Sequence, residues 1–208
     1  MSPADRFLKY SFDRVTAAAG LVILLLPLLV IGFLVKLNMG PGPVLFRQKR
    51  VGTDGRLFTI VKFRTMADGS SGLNITVEGE DRIMPFGAKL RKYHLDEMPE
   101  LWNVLKGEMS FVGPRPDVPG YADVLSGPDR EILRLRPGIT GPATLKYRDE
   151  EHLLAQQAYP WKYNDEVIFP DKVRINRYYL ENYSFIGDLR IILATLTGRR
   201  IEYGGEMI

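Results

Sequence analysis

The segment from Val15 to Val35, VTAAAGLVILLLPLLVIGFLV, decides what kind of protein this chain can be. It has 21 residues and no charged side chain, and about 20 apolar residues suffice for a helix to cross a bilayer. A cleaved signal peptide is the alternative, but the run is long for an apolar signal core and no small-x-small cleavage site follows it. The segment therefore predicts a protein associated with a membrane.

Two features of this segment argue against a simple straight span. Pro27 lies near its middle, removes one backbone hydrogen bond and clashes with the preceding turn, so we expect a kink there. Basic residues also flank both ends, whereas the positive-inside rule requires an asymmetry between them. The flanking basic residues are Arg6, Lys9, Arg14, Lys36, Arg47, Lys49 and Arg50. A kinked spanning helix and a re-entrant helix that returns to the same side both remain open.

The composition sets broad limits on fold and function. The 208 residues are 45% hydrophobic, which fits one compact domain or one domain with an appendage. Lysine and arginine number 28 against 25 acidic residues, so the net charge is +3, and the pI is about 9.0. This mild basicity suits nucleic acid, an anionic membrane surface or a phosphate-bearing substrate. The absence of cysteine excludes disulfides and thiolate chemistry.

The order of sequence patterns predicts a mainly helical α+β fold in two parts. Residues 1–38 form an amphipathic lead-in and the kinked membrane helix, and residues 39–208 form a small catalytic domain. A β-hairpin is expected over residues 44–66, with its turn at Asp54-Gly55. The polar, Gly/Ser-rich stretch over residues 67–80 predicts a loop.

Helical patterns fill much of the remaining chain. They are predicted over Pro85–His94, Asp96–Lys106 and Tyr121–Leu135, and as two pieces within residues 173–200. Ser184 is a plausible N-cap between the last two pieces. Their aromatic and apolar residues, interspersed with basic ones, suit amphipathic helices at a membrane interface.

Asp96 and Glu97 are the candidate reactive residues. As a structural feature they start a helical pattern, because Asp is a good N-cap and acids near a helix N-terminus complement its dipole. As a functional feature, an ionised carboxylate binds Mg²⁺ or attacks phosphorus to form an acyl-phosphate. The two interpretations are compatible, since exposed amides at a helix start lower the pKa of a carboxyl group.

Cationic side chains in stiff loops and strand ends are candidate phosphate contacts. Arginine recognises phosphate oxygens bidentately, and a rigid loop holds it where a substrate needs it. The candidates are Lys62, Arg64, Arg91, Arg115 between Pro114 and Pro116, and Arg148. The sequence contains no P-loop or dinucleotide-binding fingerprint, no zinc-protease motif and no nucleophile elbow. His94 and His152 are predicted to be surface residues.

A longer pattern connects these features. It reads L-D-E-x-x-x-L-x-N-V-L-x-G-x-M-S-x-V-G-P-R-P from Leu95 to Pro116. It is accompanied by three further segments, FRQKRVGTDGRLFTIVKFRTM, LRPGITG and YYLENYSFIGDLRIIL. With these segments and the Pro-containing apolar run, nearly the whole chain resembles the small monotopic phosphoglycosyl transferases, a group of bacterial sugar transferases. The segment Pro142-Ala143-Thr144 departs from the Trp-Ala-Gln that many relatives carry, so sugar identity is not transferable from them.

The resemblance implies a reaction and roles for the site residues. Such enzymes move a sugar-1-phosphate from a UDP-sugar to a polyprenol phosphate such as undecaprenyl phosphate and release UMP. Asp96 would be the nucleophile and a Mg²⁺ ligand, and Glu97 its partner. Arg115 with its flanking Pro114 and Pro116, and Arg148, would help to hold the nucleotide or its diphosphate. The remaining phosphate contacts would be Lys62, Arg64 and Arg91.

The resemblance also implies a location and partners. The chain would act at the cytoplasmic face of the bacterial inner membrane, with Pro27 bending a re-entrant helix into one leaflet. Its partners would be the UDP-sugar, the polyprenol phosphate and membrane lipids, and a homodimer is left open. An inactive membrane-anchored scaffold of the same fold is the main alternative. Nucleic-acid binding is disfavoured by the apolar run and by the lack of any nucleic-acid motif.

Overall fold

The computed structural model describes residues 1–67 and 82–208. Apart from Ala67, the predicted loop over residues 67–80 lies outside this range. The described part is mainly helical and carries small two-stranded sheets, so the α+β prediction is confirmed.

The N-terminal apolar region forms two helices joined at a bend. Helix α1 spans Pro3–Ile23 and helix α2 spans Leu25–Asn38. Ser2 caps α1, because its side chain accepts from the Asp5 amide while the Asp5 carboxylate accepts from the Ser2 amide. The break at Leu24 lies three residues before Pro27, where the proline ring leaves the Ile23 carbonyl without its usual amide donor. The predicted kink is therefore present.

Helices α1 and α2 leave a large apolar surface uncovered. No single helix in the described part of the chain has both the length and the composition to cross a membrane, whereas this pair, bent by 64°, meets both criteria together. The exposed large apolar side chains of the pair are Phe7, Leu8, Val15, Val22, Ile23, Leu25, Leu26, Leu29, Val30, Phe33, Leu34 and Leu37.

The predicted hairpin is confirmed. Strand β1 (Leu45–Val51) pairs antiparallel with strand β2 (Leu57–Phe63), in a register that places Leu45 opposite Phe63. Asp54 and Gly55 both adopt positive φ, 57° and 79°, within a short 3₁₀ turn. An Asp-Gly pair tolerates this left-handed geometry better than other residues do.

The segment after the hairpin is helical but interrupted. Helix α3 spans Pro85–Lys92, a 3₁₀ segment spans Leu95–Glu100, and helix α4 spans Leu101–Lys106. The single helix predicted from Asp96 to Lys106 is therefore wrong in its first half. Pro99 lies inside the 3₁₀ segment, where it lacks the amide hydrogen that a regular helix would use.

Two short strands, β3 (Ser110–Val112) and β4 (Gly138–Thr140), pair in parallel. The segments that follow β3 and β4 lie in direct backbone contact, which is possible because each contains a glycine at the contact. A Cβ atom added at Gly113 would lie 2.3 Å from the Arg136 carbonyl, and one added at Gly141 would lie 2.3 Å from the Gly113 carbonyl. These glycines come from the GPRP and RPGITG motifs, so the two motifs are one packed junction.

The helix predicted over Tyr121–Leu135 is wrong. The structure has two 3₁₀ segments there, Ala122–Val124 and Gly127–Arg134. Gly127 has a φ of 56°, and Pro128 follows it, so the backbone cannot continue one helix through this point.

The C-terminal third packs around helices α8 and α9. The elements are α5 (Pro142–Lys146), α6 (Glu150–Ala155), α7 (Pro160–Tyr163), a π-helical segment (Asn164–Ile168), α8 (Phe169–Glu181), α9 (Phe185–Thr197), β5 (Glu202–Tyr203) and β6 (Glu206–Met207). Ser184 caps α9 by accepting from the Gly187 amide at 3.0 Å, as predicted.

The predicted boundary at residue 38 coincides with the end of α2, but α1 belongs to a core of the main body. Ala17 of α1 is fully buried against Phe58 and Ile60 of β2 and against Leu101 and Val104 of α4. Strand β2 carries one residue of the candidate site, and α4 directly follows the 3₁₀ segment that carries its acidic residues. Helix α1 therefore packs directly behind that site.

Candidate active site

Asp96 and Glu97 lie in the 3₁₀ segment, one turn before α4. Both are buried, with 6% and 9% of their surface exposed. Neither caps a helix: the cap position belongs to His94, which has a φ of 52° and makes no side-chain cap bond. The predicted capping role of Asp96 is therefore wrong, because Pro99 and the 3₁₀ geometry move the start of the α-helix to Leu101.

Asn103 of α4 fixes this segment against the hairpin. Its side chain accepts from the Val61 amide at 3.2 Å and donates to the Thr59 carbonyl at 2.8 Å. It thus supplies the free edge of β2 with hydrogen bonds that another strand would otherwise make. The same strand carries Lys62, so Asn103 sets the distance between Lys62 and the acidic pair.

Glu97 is held by two cations. Lys62 Nζ lies 2.7 Å and Arg115 Nη2 lies 2.5 Å from the same oxygen, Glu97 Oε1. Lys62 also lies 3.1 Å from Oε1 of Glu100, which is buried at the end of the 3₁₀ segment. We call these five residues, Lys62, Asp96, Glu97, Glu100 and Arg115, the dyad cluster.

The loop after β3 positions Arg115 through its prolines. The Pro114 carbonyl accepts from the Gly138 amide at 2.8 Å, and the Pro116 carbonyl accepts from Arg50 at 3.1 Å. The loop is thus anchored on both sides of Arg115, whose own side chain remains 44% exposed. A rigid backbone with a partly exposed guanidinium suits recognition of an anion.

The two acids of the pair have opposite electrostatic environments. Burial raises the pKa of Asp96 and neighbouring Glu97 raises it further, against the opposing charges of Lys62 and Arg91. Burial also disfavours the ionised form of Glu97, but Arg115 and Lys62 outweigh it and hold the pKa of Glu97 well below its usual range. The expectation that the Asp96 pKa is lowered is therefore wrong. Two adjacent carboxyl groups whose pKa values are driven apart are typical of a reactive pair.

Arg91 lies near Asp96, and its guanidinium pairs with Glu151 of α6. Glu150, which is also in α6, pairs with Lys172 of α8 at 2.6 Å. Helix α6 therefore presents two acids to cations on the border of the site. The charge of Arg91 acts on Asp96, and its role as a phosphate contact stays a prediction.

Two predicted phosphate contacts are used elsewhere. Arg64 is buried and donates to the carbonyls of Met39, Gly40 and Pro41, which ties the end of α2 to the end of β2. Arg148 donates to the carbonyls of Leu145, Gly198 and Arg199. We therefore leave Arg64 and Arg148 out of the site proposed below, because their guanidiniums bind backbone.

Three charged residues were missed by the sequence analysis. Glu100 lies four residues after Asp96, a spacing that could have indicated it. Asp117 directly follows the GPRP motif, and burial raises its pKa to about 6 against the opposing charges of Lys172 and Arg50. Arg50 comes near Arg115 only because β1 lies beside this loop, a contact that no local pattern indicates.

The residues at the site fit a Mg²⁺ ion that is shared with a substrate. Among the described residues no group of three or more acidic or histidine side chains is arranged to hold a metal by itself. The Asp96 carboxylate nevertheless accepts from no other described side chain, so its oxygens are available. Mg²⁺ in phosphate-transferring sites is commonly held by one or two carboxylates together with substrate phosphates and water.

His94 and His152 were expected at the surface. His94 is exposed, and His152 is exposed on α6, where its ring lies 2.8 Å from the Gln156 side chain. The prediction that both are surface residues is confirmed.

Comparison with known proteins agrees with the family resemblance of the sequence motifs. A family profile described as bacterial sugar transferase matches residues 4–199. The UDP-N-acetylgalactosamine-undecaprenyl-phosphate N-acetylgalactosaminephosphotransferase of Aeromonas hydrophila is 34% identical over 94% of this chain and 44% of its own length. The UDP-glucose:undecaprenyl-phosphate glucose-1-phosphate transferase of Caulobacter vibrioides is 36% identical over 88% of this chain and 66% of its own.

A third relative is of similar size. The exopolysaccharide production protein PSS of Rhizobium leguminosarum bv. phaseoli is 34% identical over 92% of this chain and 94% of its own length. The chain thus spans less than half of the Aeromonas relative and nearly all of the Rhizobium one. The family profile covers the hairpin, the dyad cluster, the glycine junction and both late helices. This chain belongs to the bacterial sugar transferase family.

Proposed function

We propose that this protein transfers a sugar-1-phosphate from a UDP-sugar to undecaprenyl phosphate and releases UMP. The Aeromonas and Caulobacter relatives carry names that describe this type of reaction. The observation that carries the proposal is the placement of the Asp96 carboxylate, unpaired by any other described side chain, near the cations Lys62 and Arg91 and next to Glu97, which binds Lys62 and Arg115. A nucleophile next to fixed positive charge is what phosphoryl transfer requires.

The proposed reaction has two steps at one site. An Asp96 oxygen forms a bond to the sugar-bearing phosphorus, the bond from that phosphorus to the UMP oxygen breaks, and UMP leaves. An oxygen of the undecaprenyl phosphate then attacks the same phosphorus and breaks its bond to Asp96, which regenerates the carboxylate. This order predicts ping-pong kinetics.

Glu97 keeps the cations in place during this reaction. Its Oε1 fixes both Lys62 and Arg115, so their charges face the phosphates without having to reorganise when the transition state forms. A Mg²⁺ ion held by Asp96 and the donor diphosphate would neutralise charge on the leaving UMP.

We propose that helices α1 and α2 insert into the inner membrane from the cytoplasmic side and return to it. The 64° bend, the exposed apolar side chains on both helices and the basic residues at both ends support a re-entrant arrangement. Helix α9 would lie at the interface beside them, since Phe12 and Phe185 stack edge to face at 5.3 Å and Ile186, Leu193 and Leu196 remain exposed.

A UMP-release screen tests the reaction. The full chain in detergent micelles is supplied with undecaprenyl phosphate, Mg²⁺ and each member of a panel of UDP-sugars. The panel is needed because the relatives' names specify different sugars, N-acetylgalactosamine and glucose. We expect UMP with at least one donor. No release with any donor would favour the alternative of an inactive scaffold.

Cysteine labelling tests the topology, since the chain contains no cysteine of its own. Ala4→Cys and Pro43→Cys place thiols at exposed positions in the first turn of α1 and after α2. Ser126→Cys, exposed on the main body, marks the cytoplasmic side. In spheroplasts all three should resist a membrane-impermeant reagent until the cells are opened. Labelling of Ala4→Cys alone in intact spheroplasts would establish a spanning helix instead.

A further inference from the structure

Glu100 is a third carboxylate in the site, and the proposed reaction does not use it. Its side chain is only 3% exposed, and its Oε1 lies 3.1 Å from Lys62 Nζ. The angle of this contact is not that of a hydrogen bond, so Oε1 is buried without a hydrogen-bond partner. A buried carboxyl oxygen without a hydrogen bond is destabilising and calls for an explanation.

Lys62 is shared between two carboxylates. Its ammonium lies 2.7 Å from Glu97 Oε1, with hydrogen-bond geometry, and 3.1 Å from Glu100 Oε1, without it. Any change in the charge of Glu100 therefore alters how strongly Lys62 is held toward Glu97 and toward an anion bound next to Asp96. Glu100 is four residues from Asp96 and can act on the reacting groups only through this lysine and through its charge.

We propose that Glu100 is a positioning residue that acts through Lys62 and sets the pH range over which the site accepts the diphosphate of its donor. This inference rests on the proposed function, because that function identifies the donor as a UDP-sugar. The charged groups that face Glu100 are Lys62 of β2, Arg50 of β1, Arg115 of the loop after β3, and Glu97 of its own segment.

The electrostatics of these groups support the proposal. Burial raises the pKa of Glu100 to about 7; Lys62 opposes this shift and Glu97 adds to it. Below that pH Glu100 is neutral. Above it Glu100 is ionised, so the dyad cluster gains one negative charge, which competes with a bound anion for Lys62.

The expected consequence is weaker binding of an anion as the pH rises through 7. One additional charge at a distance of about 10 Å, at the effective dielectric constant of a partly buried site, changes the affinity for a diphosphate about tenfold. Glu100→Gln keeps the size of the side chain and removes its titration, so its affinity should not show this decrease.

The test uses UDP, the group common to all candidate donors. Its dissociation constant is measured by calorimetry from pH 6 to pH 9 for the full-length wild type, for Glu100→Gln and for Glu131→Gln in detergent micelles. Glu131 is the matched control, because it pairs with Arg134 on an exposed surface outside the dyad cluster. UDP's own titration is common to all three proteins, so only a difference between them reports on Glu100.

We expect the wild type and Glu131→Gln to lose affinity about tenfold relative to Glu100→Gln between pH 6 and pH 9. UDP binding with one shared pH profile for all three proteins would overturn the inference and leave the proposed function standing. Failure of the wild type both to bind UDP and to release UMP from any UDP-sugar would overturn the two together.

Thermal unfolding supplies a readout that needs no ligand. The pKa of Glu100 is raised from its ordinary value of 4.5 to about 7 in the folded protein, so folding favours its protonated form. Relative to Glu100→Gln, wild-type stability should therefore fall as the pH rises from about 4.5 to about 7 and remain level above that. A stability difference that does not change over this range would contradict the titration of Glu100.

Discussion

The protein contains two buried polar clusters that differ in how well their carboxylates are satisfied. One is the dyad cluster. The other, which we call the anchor cluster, consists of Lys9, Asp13, Ser110, Tyr179 and Asp188, and it joins helix α1 to β3, α8 and α9. The anchor cluster lies behind the site and the dyad cluster lies in it.

In the anchor cluster every carboxylate oxygen has a donor. Asp188 accepts from Lys9 at 2.5 Å and from Tyr179 at 2.6 Å, one on each oxygen. Asp13 accepts from the Ser110 hydroxyl at 2.7 Å and from the Phe111 amide at 3.3 Å. A fully satisfied buried network of this kind holds elements together and offers nothing to a ligand.

In the dyad cluster three carboxylates face two cations. Among the described side chains, Lys62 and Arg115 contact only two of the six carboxylate oxygens, Oε1 of Glu97 and Oε1 of Glu100. The carboxylate oxygens that these cations leave uncontacted are what a metal ion would bind and what would attack phosphorus. The difference teaches that burial of charge alone does not indicate a candidate site, whereas burial with incomplete pairing does.

Asp96→Asn should produce the largest effect, and it should change activity only. Loss of the nucleophile is expected to reduce UMP release by a factor of about 10³ or more. Stability should be unchanged or slightly higher, because burial disfavours the ionised form of Asp96. Asp129→Asn, in an exposed pair with Arg177, is the control and should retain wild-type rates. Full activity of Asp96→Asn would refute the assignment.

Lys9→Met should produce the opposite result, a loss of stability without a direct effect on the chemistry. It leaves Asp188 buried and unpaired, which typically costs about 3–5 kcal/mol in the free energy of unfolding. The double variant Lys9→Met/Asp188→Leu should recover most of this loss, because two apolar side chains replace the pair. Lys106→Met breaks an exposed pair with Glu108 and should cost less than about 1 kcal/mol. Equal losses for the two lysines, measured by denaturant unfolding, would show that the anchor cluster contributes no more than a surface pair.

Tyr179→Phe should have a smaller effect in the same direction. It removes the donor to Asp188 Oδ1 and keeps the aromatic packing, so we expect a loss of about 2 kcal/mol. The turnover number for UMP release at saturating substrate should match that of the wild type at a temperature where both are folded. A reduced turnover number would indicate that the anchor cluster is coupled to the site.

The smallest effect concerns the pH dependence of the rate. Because burial and Glu97 raise the pKa of Asp96, the acid-side loss of activity should occur at a higher pH than for an ordinary aspartate. Removing the charge with Glu97→Gln should lower overall activity and move this acid limb toward lower pH. An acid limb at the same position in both proteins would mean that Glu97 does not influence Asp96.

Local patterns in the sequence predicted some elements well. The Asp54-Gly55 hairpin, the Ser184 cap and the bend near Pro27 depend on residues next to each other in the chain, and all three are present. The helices predicted over Asp96–Lys106 and Tyr121–Leu135 failed at Pro99 and at Gly127-Pro128. There the backbone preferences of single residues outweighed the apolar periodicity.

The residues of the candidate site were likewise predicted only in part. The acidic pair, Lys62, Arg91 and Arg115 were identified from motif residues, and the structure brings them together. Arg64 and Arg148 look equivalent to them in sequence, but their guanidiniums bind backbone carbonyls. Distinguishing a cation that faces a substrate from one that closes a turn requires knowing which carbonyls lie within reach.

The sequence by itself determined the family, the apolar N-terminal segment and the candidate acidic pair, because each consists of contiguous residues or a fixed motif. Only the tertiary structure decided the charge balance of the site. Asp96 has a raised pKa because it is buried next to Glu97, and Glu97 has a lowered one because two cations from distant segments meet at one of its oxygens. Electrostatic effects depend on distance and burial in space, which the order of residues along the chain does not specify.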